Sequence, residues 1–238
     1  MIFLLERRIH VESTSDTYQK VLQFLKQYPK LFSEFERTLI LDYAKKGVVR
    51  GDFLPDLMRE IYDELGLIPD DENVFSGFFD LLQKKFPLEE RQVVEVGGGV
   101  IPCMGKRISL MQKSGCITVY DPLLSLYEKG NERMKLVRRS FTPSTDVSGV
   151  DLIFGFMPCE ATEVIIDVAT SKEIDFMVAL CEGGPHGDEY DYYESDDEWI
   201  NSMIYFARQQ VDAHRMGQLK VKYLSKYNDP YPIIYNQK

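Results

Sequence analysis

The chain has 238 residues, of which 44% are hydrophobic and 28% are charged. This balance is typical of a globular protein with a buried core, and it excludes a disordered or fibrous chain. A formal net charge of −10 argues against a nucleic acid as partner, because binding through many phosphates needs a basic face. The apolar opening MIFLL is followed at once by ERR, too soon for a secretory signal or a membrane span, so we expect a cytoplasmic protein without a membrane partner.

Residues 13–86 carry apolar side chains at helical spacing, and short polar or Pro/Gly breaks divide them into four amphipathic stretches. We therefore expect a helical region over residues 1–87, which we interpret as a cap over a ligand site. The last helix favours a cap because Phe75, Phe78, Phe79 and Phe86 give it more aromatic surface than its own bundle needs. The alternative is a brace that covers apolar surface or joins two subunits as a homo-oligomer. The four stretches are TYQKVLQFLKQY, SEFERTLILDYAKKG, DFLPDLMREIYDELG and DENVFSGFFDLLQKKF.

The period of the apolar residues changes at Pro87, where short apolar runs begin to alternate with helical patterns. Such alternation predicts βαβ units and a mostly parallel sheet with helices on both faces. Two final strands, LKVKYLSKY and YPIIYNQ, are joined by so short a turn that they must be antiparallel. The predicted strands before them are RQVVEV, CITVYD, MKLVRRSF, VDLIFGFM and DFMVALC, and the predicted helices are CMGKRISLMQKSG, LLSLYEKG, CEATEVIIDVATSKE and EWINSMIYFARQQVDAHRMG.

Three consecutive glycines, Gly97 to Gly99, follow the first predicted strand, and Glu95 lies inside that strand. A glycine-rich turn between a strand and a helix lets the backbone approach a ligand closely. The dinucleotide fingerprint Gly-x-Gly-x-x-Gly fits poorly, because Pro102 stands where its third glycine belongs. A tight corner without a ligand is the alternative interpretation of the three glycines.

The stretch VVEVGGG resembles the first motif of class I S-adenosylmethionine-dependent methyltransferases: an apolar strand, an acidic residue, any residue and a Gly-x-Gly turn. Two further features support the resemblance. Asp121 ends the next predicted strand a little over twenty residues later, although Asp121-Pro122 could also simply start a turn, and the chain finishes with an antiparallel strand pair as these enzymes do. The third glycine of the motif is replaced by Ile101 or Pro102.

The resemblance covers residues 88–238 and implies a Rossmann-like α/β domain that binds S-adenosylmethionine. It places Glu95 and the glycines at the methionine end of the cofactor, where an acid suits the cationic tail and would repel a pyrophosphate. It places Asp121 at the ribose and the segment after the third strand beside the adenine. The cofactor-binding residues implied are Glu95, Gly97, Gly98, Gly99, Asp121, Phe141, Thr142 and Phe156.

The acceptor is expected beyond the carboxyl ends of the strands, where ligands of open α/β sheets bind. The fourth strand ends in Met157-Pro158-Cys159 and not in the Asn-Pro-Pro-Tyr type of motif found in amino-directed nucleic acid methyltransferases. The fifth strand leads to Glu182 and His186, which we predict as catalytic residues, His186 as a general base. An exposed loop histidine is the alternative interpretation.

The acidic loop 187–199 holds seven carboxylates and three tyrosines without a lysine or arginine. It is either a solvated loop or a lid that selects a cationic or neutral acceptor. The cysteines, which include Cys159 and Cys181 near the same edge, have no Cys-x-x-Cys spacing, so we expect reduced thiols and no metal.

Three functions remain open from the sequence. The first is a methyltransferase acting on a small-molecule or protein acceptor. The second is a methyltransferase-like cofactor-binding or scaffold protein without transfer activity. The third is an RNA methyltransferase, which needs a basic groove that the sequence shows only in short patches such as Lys135, Arg138 and Arg139.

Overall fold

The structure is a computed structural model that describes residues 14–29, 34–46, 74–124, 128–181, 195–226 and 229–237, together with a few single positions between 32 and 67. The chain divides into two compact units, residues 1–69 and residues 70–238. In the described residues, no helix is both long enough and apolar enough to cross a membrane.

The first unit contains two described helices, α1 at Thr14–Gln27 and α2 at Glu34–Lys46, which pack against each other. Their contact buries apolar residues at helical spacing, among them Val21 and Leu25 on α1 and Ile40 on α2. The first two predicted helices are therefore confirmed. The third, over DFLPDLMREIYDELG, lies almost wholly outside the described residues.

The second unit is built on a seven-stranded sheet with the order β3-β2-β1-β4-β5-β7-β6. The first five strands are parallel, and β7 runs antiparallel between β5 and β6. The predicted α/β class, with a mostly parallel Rossmann-like sheet ending in an antiparallel pair, is confirmed. The strands are β1 Gln92–Val96, β2 Cys116–Tyr120, β3 Met134–Val137, β4 Leu152–Phe156, β5 Asp175–Ala179, β6 Gln218–Lys226 and β7 Asp229–Gln237.

Helices cover both faces of the sheet, because alternate residues of each buried strand point to opposite sides. Val93 and Phe154 belong to the core beneath α3 and α4, whereas Val94 and Ile153 belong to the core beneath α5 and α6. A short 3-10 helix, Cys159–Ala161, leads into α5. The helices of this unit are α3 Val74–Lys85, α4 Cys103–Met111, α5 Thr162–Ser171 and α6 Asp196–Ala213.

Helix α3 packs on the sheet through its phenylalanines. The rings of Phe75 and Phe78 make edge contacts with Phe156 at the end of β4, at centroid distances of 5.3 and 5.4 Å. Phe86, just after the helix, meets Tyr235 of β7 in the same way. The sheet thus uses the aromatic surface of this helix, and the compact units divide before α3, whereas we placed the domain boundary after it at Pro87.

The helix predicted over LLSLYEKG, between β2 and β3, is wrong for the residues described on either side of 125–127, none of which is helical. The connection from β3 to β4 is also made of turns and bends. Edge strand β3 is consequently less covered than the central strands, and Leu136 and Val137 are only half-buried.

Candidate functional site

The three glycines after β1 form the turn that opens the carboxyl edge of the sheet, and each is required for its own reason. Gly97 and Gly99 have φ angles of +77° and +71°, a region that side chains disfavour. Gly98 lacks space, because a Cβ there would lie 2.4 Å from Cγ1 of Val119 on the neighbouring strand. No residue with a side chain fits this turn without strain or a clash.

Asp121 ties the glycine turn to the end of β2. The backbone N–H of Gly99 donates to Oδ2 of Asp121 at 2.9 Å, and the N–H of Leu123 donates to Oδ1 at 2.6 Å. The residue before Asp121 also binds the turn, since the carbonyl of Tyr120 accepts a hydrogen bond from the N–H of Gly97 at 3.0 Å. Asp121 is 7% exposed, and each of its oxygens keeps one lone pair beyond these bonds.

Glu95 is a buried carboxylate within β1, with only 3% of its surface exposed. Its Cα partners are Val119 on β2 and Phe154 on β4, so it lies in the middle of the sheet. It points to the α4 side, since a Cβ added to Gly105 in α4 would lie 2.8 Å from its Oε2. Sequence reasoning missed Gly105, although a glycine inside a helix is a known signal of close approach.

Phe141 and Thr142, predicted beside the adenine, follow the third strand. The Phe141 ring is buried and stands edge-on to Tyr120 at a centroid distance of 5.5 Å, one residue before Asp121. Thr142 is exposed, and its backbone N–H donates to the hydroxyl of Thr145 at 3.0 Å. Phe141 thus packs against the end of β2, while Thr142 belongs to a locally bonded loop.

One more acid, Asp146, and the hydroxyl of Ser148 shape that loop and its electrostatics. Hydrogen bonds from the hydroxyl and backbone N–H of Ser148 hold the pKa of the exposed Asp146 below its ordinary value. Asp146 therefore keeps a negative charge near the segment predicted to flank the adenine at every pH above that lowered value.

Phe156, the last residue of β4, points to the α3 face of the sheet. Its ring packs against Phe75 and Phe78 of that helix. The described hydrogen bonds and close approaches bring Glu95, the glycine turn and Asp121 together. They do not link Phe156 or Thr142 to that group, and the cofactor roles of all the predicted residues stay predictions.

The turn after β4 is a second unusual feature of the carboxyl edge. Met157 and Cys159 have φ angles of +51° and +45°, which cost about 1–2 kcal/mol each for a residue with a Cβ. Pro158 between them is buried, and its Cα lies 3.1 Å from the position of a Cβ on Gly97. Sequence reasoning placed the acceptor here but had no signal for the backbone conformation, because Met and Cys seldom adopt it.

The predicted catalytic residues, Glu182 and His186, lie outside the described residues, as does most of the acidic loop. Cys181, which precedes them, is half-buried. Over the described part of the chain, no group of three or more His, Cys, Asp or Glu side chains is placed to hold a metal ion.

No protein family model and no curated protein sequence matches this chain. Solved structures similar to it include precorrin-6y C5,15-methyltransferase from Geobacter metallireducens, with 15% identity, a TM-score of 0.45, and coverage of 68% of this chain and 88% of that one. Fibrillarin from Aeropyrum pernix, solved with natively bound S-adenosyl-L-methionine, has 11% identity, a TM-score of 0.41 and coverage of 67% and 73%. An S-adenosylmethionine-dependent O-methyltransferase from Thermotoga maritima has 12% identity, a TM-score of 0.44 and coverage of 76% and 70%.

The substrates that these names state belong to those proteins alone, since the similarity is one of fold. It covers 67% to 76% of this chain for the three structures named.

Proposed function

We propose that this protein is an S-adenosylmethionine-dependent methyltransferase that acts on a small-molecule or protein acceptor. The observation that carries the proposal is the hydrogen bond from Gly99 to Asp121, which joins a side-chain-free turn to a strand-end carboxylate. Both lie beyond the carboxyl ends of neighbouring parallel strands, β1 and β2, where open α/β sheets bind ligands.

The residues of this edge suit the proposed cofactor in two respects. The absence of side chains at Gly97 to Gly99 leaves half-buried backbone that a ligand can approach closely, and the helix α4 that follows presents its positive N-terminal end there. Asp121 keeps a lone pair on each oxygen for the two ribose hydroxyls after its backbone bonds are counted. A pyrophosphate, in contrast, would be repelled by the carboxylate of Asp121.

The cofactor, when bound, supplies an activated methyl group. The protein's own contribution is to hold an acceptor in line with that group, because such a transfer depends mainly on proximity and orientation. We assign this task to the turn Met157–Cys159, which contacts the glycine turn through Pro158 and Gly97. Glu182 and His186 are proposed as the groups that take up the acceptor's proton.

Calorimetric titration with S-adenosylhomocysteine tests the proposal. Wild-type protein should bind it, and Asp121→Ala should weaken binding by about 1–3 kcal/mol, the usual scale for losing a hydrogen-bonded charged acceptor. Asp151→Ala is the matched control, because Asp151 also accepts a backbone N–H, from Gln92 at 2.8 Å, but at the opposite edge of the sheet. It should leave the affinity unchanged.

Binding of a nicotinamide dinucleotide without any binding of S-adenosylhomocysteine would overturn the cofactor assignment. Binding of S-adenosylhomocysteine without methyl transfer to any of a panel of amines, phenols, thiols and basic proteins would favour the scaffold alternative. An equal loss of affinity in Asp121→Ala and Asp151→Ala would mean that the ligand does not sit at the carboxyl edge.

A further inference from the structure

The sequence predicts that Glu95 contacts the cationic tail of the cofactor. In the structure, however, Glu95 is buried within β1, whereas a group that contacts a ligand is normally accessible from the ligand site. Glu95 is 3% exposed, and Val94 and Val96 on either side point to the opposite face. The three glycines after β1 are half-buried, so a ligand that approaches the carboxyl edge reaches their backbone more readily than the carboxylate.

The surroundings of the carboxylate are two stretches of backbone from which side chains are missing. A Cβ on Gly98 would stand 3.6 Å from Cδ of Glu95, and a Cβ on Gly105 would stand 2.8 Å from its Oε2. The carboxylate therefore lies between the glycine turn and the first turn of α4. Gly105 is the third residue of α4, in the turn where a helix has backbone N–H groups without an intrahelical partner and a positive dipole end.

We propose that Glu95 is a positioning residue that fixes the shape of the glycine turn relative to α4, and that it does not contact the cofactor's ammonium group. The inference rests on the proposed function, since it concerns how that site recognises its ligand. In this arrangement, Glu95 and Gly105 act together on the whole adenosyl site. The turn recognises the adenosine and thioether part that these ligands share, and Glu95 sets the shape of the turn.

Two ligands with the same adenosine and thioether separate positioning from direct contact. S-adenosylhomocysteine carries the amino-acid tail, and 5′-methylthioadenosine does not. In the full chain, the isosteric Glu95→Gln should weaken binding of both ligands by the same factor, about tenfold, since both use the same turn. Gly105→Ala should do likewise, because its Cβ would stand 2.8 Å from Oε2 of Glu95 and 2.7 Å from Cγ2 of Val119, so that the carboxylate must shift.

Ile153→Val is the control for a merely structural effect. Ile153 is fully buried on β4 and points to the α5 face, so this substitution loosens the same sheet without touching the turn. It should lower the unfolding midpoint and leave both affinities unchanged. Glu95→Gln should change both affinities even at temperatures well below its own unfolding midpoint.

Three results would overturn the inference. In the first, Glu95→Gln loses S-adenosylhomocysteine binding and keeps its affinity for 5′-methylthioadenosine; in the second, Glu95→Gln binds both ligands as the wild type does. In the third, the wild-type protein binds only S-adenosylhomocysteine, and Glu95→Gln loses that binding. Failure of the wild-type protein to bind either ligand is a separate outcome, because it contradicts the proposed function itself.

Discussion

One methyl group, Cγ1 of Val119, leaves no room for a side chain at Gly98. This constraint on the turn can be tested with single substitutions. Gly98→Ala should weaken S-adenosylhomocysteine binding at least tenfold, since its Cβ would stand 2.4 Å from Cγ1 of Val119 and must displace the turn. Adding Val119→Ala removes that methyl group and should restore part of the lost affinity. Calorimetry on the two variants checks the prediction.

Gly77→Ala is the matched control for Gly98→Ala. Gly77 lies in α3, where an added Cβ would make only an ordinary contact of 3.4 Å with Leu224. Binding should be unchanged, and the free energy of unfolding should rise by about 1 kcal/mol because alanine is the better helix former. If Val119→Ala fails to restore any affinity to Gly98→Ala, the clash is not what constrains this turn.

At this scale, the sequence predicts the residues whose signal is local. Three glycines after a β-branched strand and an acid at the end of the next strand are visible in a few letters, and the structure places them together. The role of Gly105 depends on where the Glu95 carboxylate points, and the strained turn at Met157 depends on backbone angles that residue types do not reveal. Such features arise from tertiary packing, which the local pattern does not encode.

Two helices end with a left-handed residue that is not glycine. Helix α6 is followed by Arg215 at a φ of +53°, and Met216 donates to the carbonyl of Val211 at 2.9 Å, the bonding pattern of a Schellman motif. Helix α5 ends in the same way at Glu173, with a φ of +57°. Glycine is the usual residue at this position because it has no Cβ to strain.

Arg215→Gly should therefore raise the free energy of unfolding by about 1 kcal/mol, measured by denaturant titration. The matched control is Arg208→Gly, an exposed arginine inside α6, which should lower the free energy by about 1 kcal/mol because glycine disfavours a helix interior. Replacing arginine by glycine should thus raise the free energy of unfolding just after α6 and lower it inside α6. A loss of stability in Arg215→Gly would show that contacts of the arginine outweigh its backbone strain.

Most elements of the fold follow from periodicity, but their partners do not. Alternating apolar runs predicted the seven strands, and helical spacing predicted α3. The apolar pattern of α3 indicates that one face is buried but does not indicate which element covers that face. The sequence therefore placed α3 in the helical region 1–87 with its neighbours along the chain. The helix predicted after β2 shows the limit of periodicity, since LLSLYEKG has enough apolar residues for a helix but its described residues on either side of 125–127 are not helical.

At the scale of the whole molecule, the division at residue 69 predicts which fragment folds alone. Residues 70–238 contain the sheet, α3 and every described residue of the candidate site. This fragment should unfold cooperatively and bind S-adenosylhomocysteine as tightly as the full chain. A fragment of residues 88–238 should fail, because it lacks Phe78, Leu81 and Leu82, which cover the sheet and are fully or almost fully buried.

Circular dichroism melting and calorimetry on the two fragments check this prediction. A stable, ligand-binding fragment 88–238 would restore the boundary that we expected from the sequence at Pro87. A fragment 70–238 that binds the cofactor but shows lower methyl transfer than the full chain would support a cap role for the first unit. Equal transfer by both would favour the brace.

The place of β7 between β5 and β6 sets the order in which this sheet can be completed during synthesis. Strand β6 leaves the ribosome before β7, but it reaches the sheet only through β7, with which it pairs along its whole length. In the nascent chain, the apolar edge of β5 and the whole of β6 therefore stay unpaired until residue 237 has emerged. A stop codon placed just before β7 should yield a protein that chaperones retain or proteases remove, even though all of the candidate site has already been made.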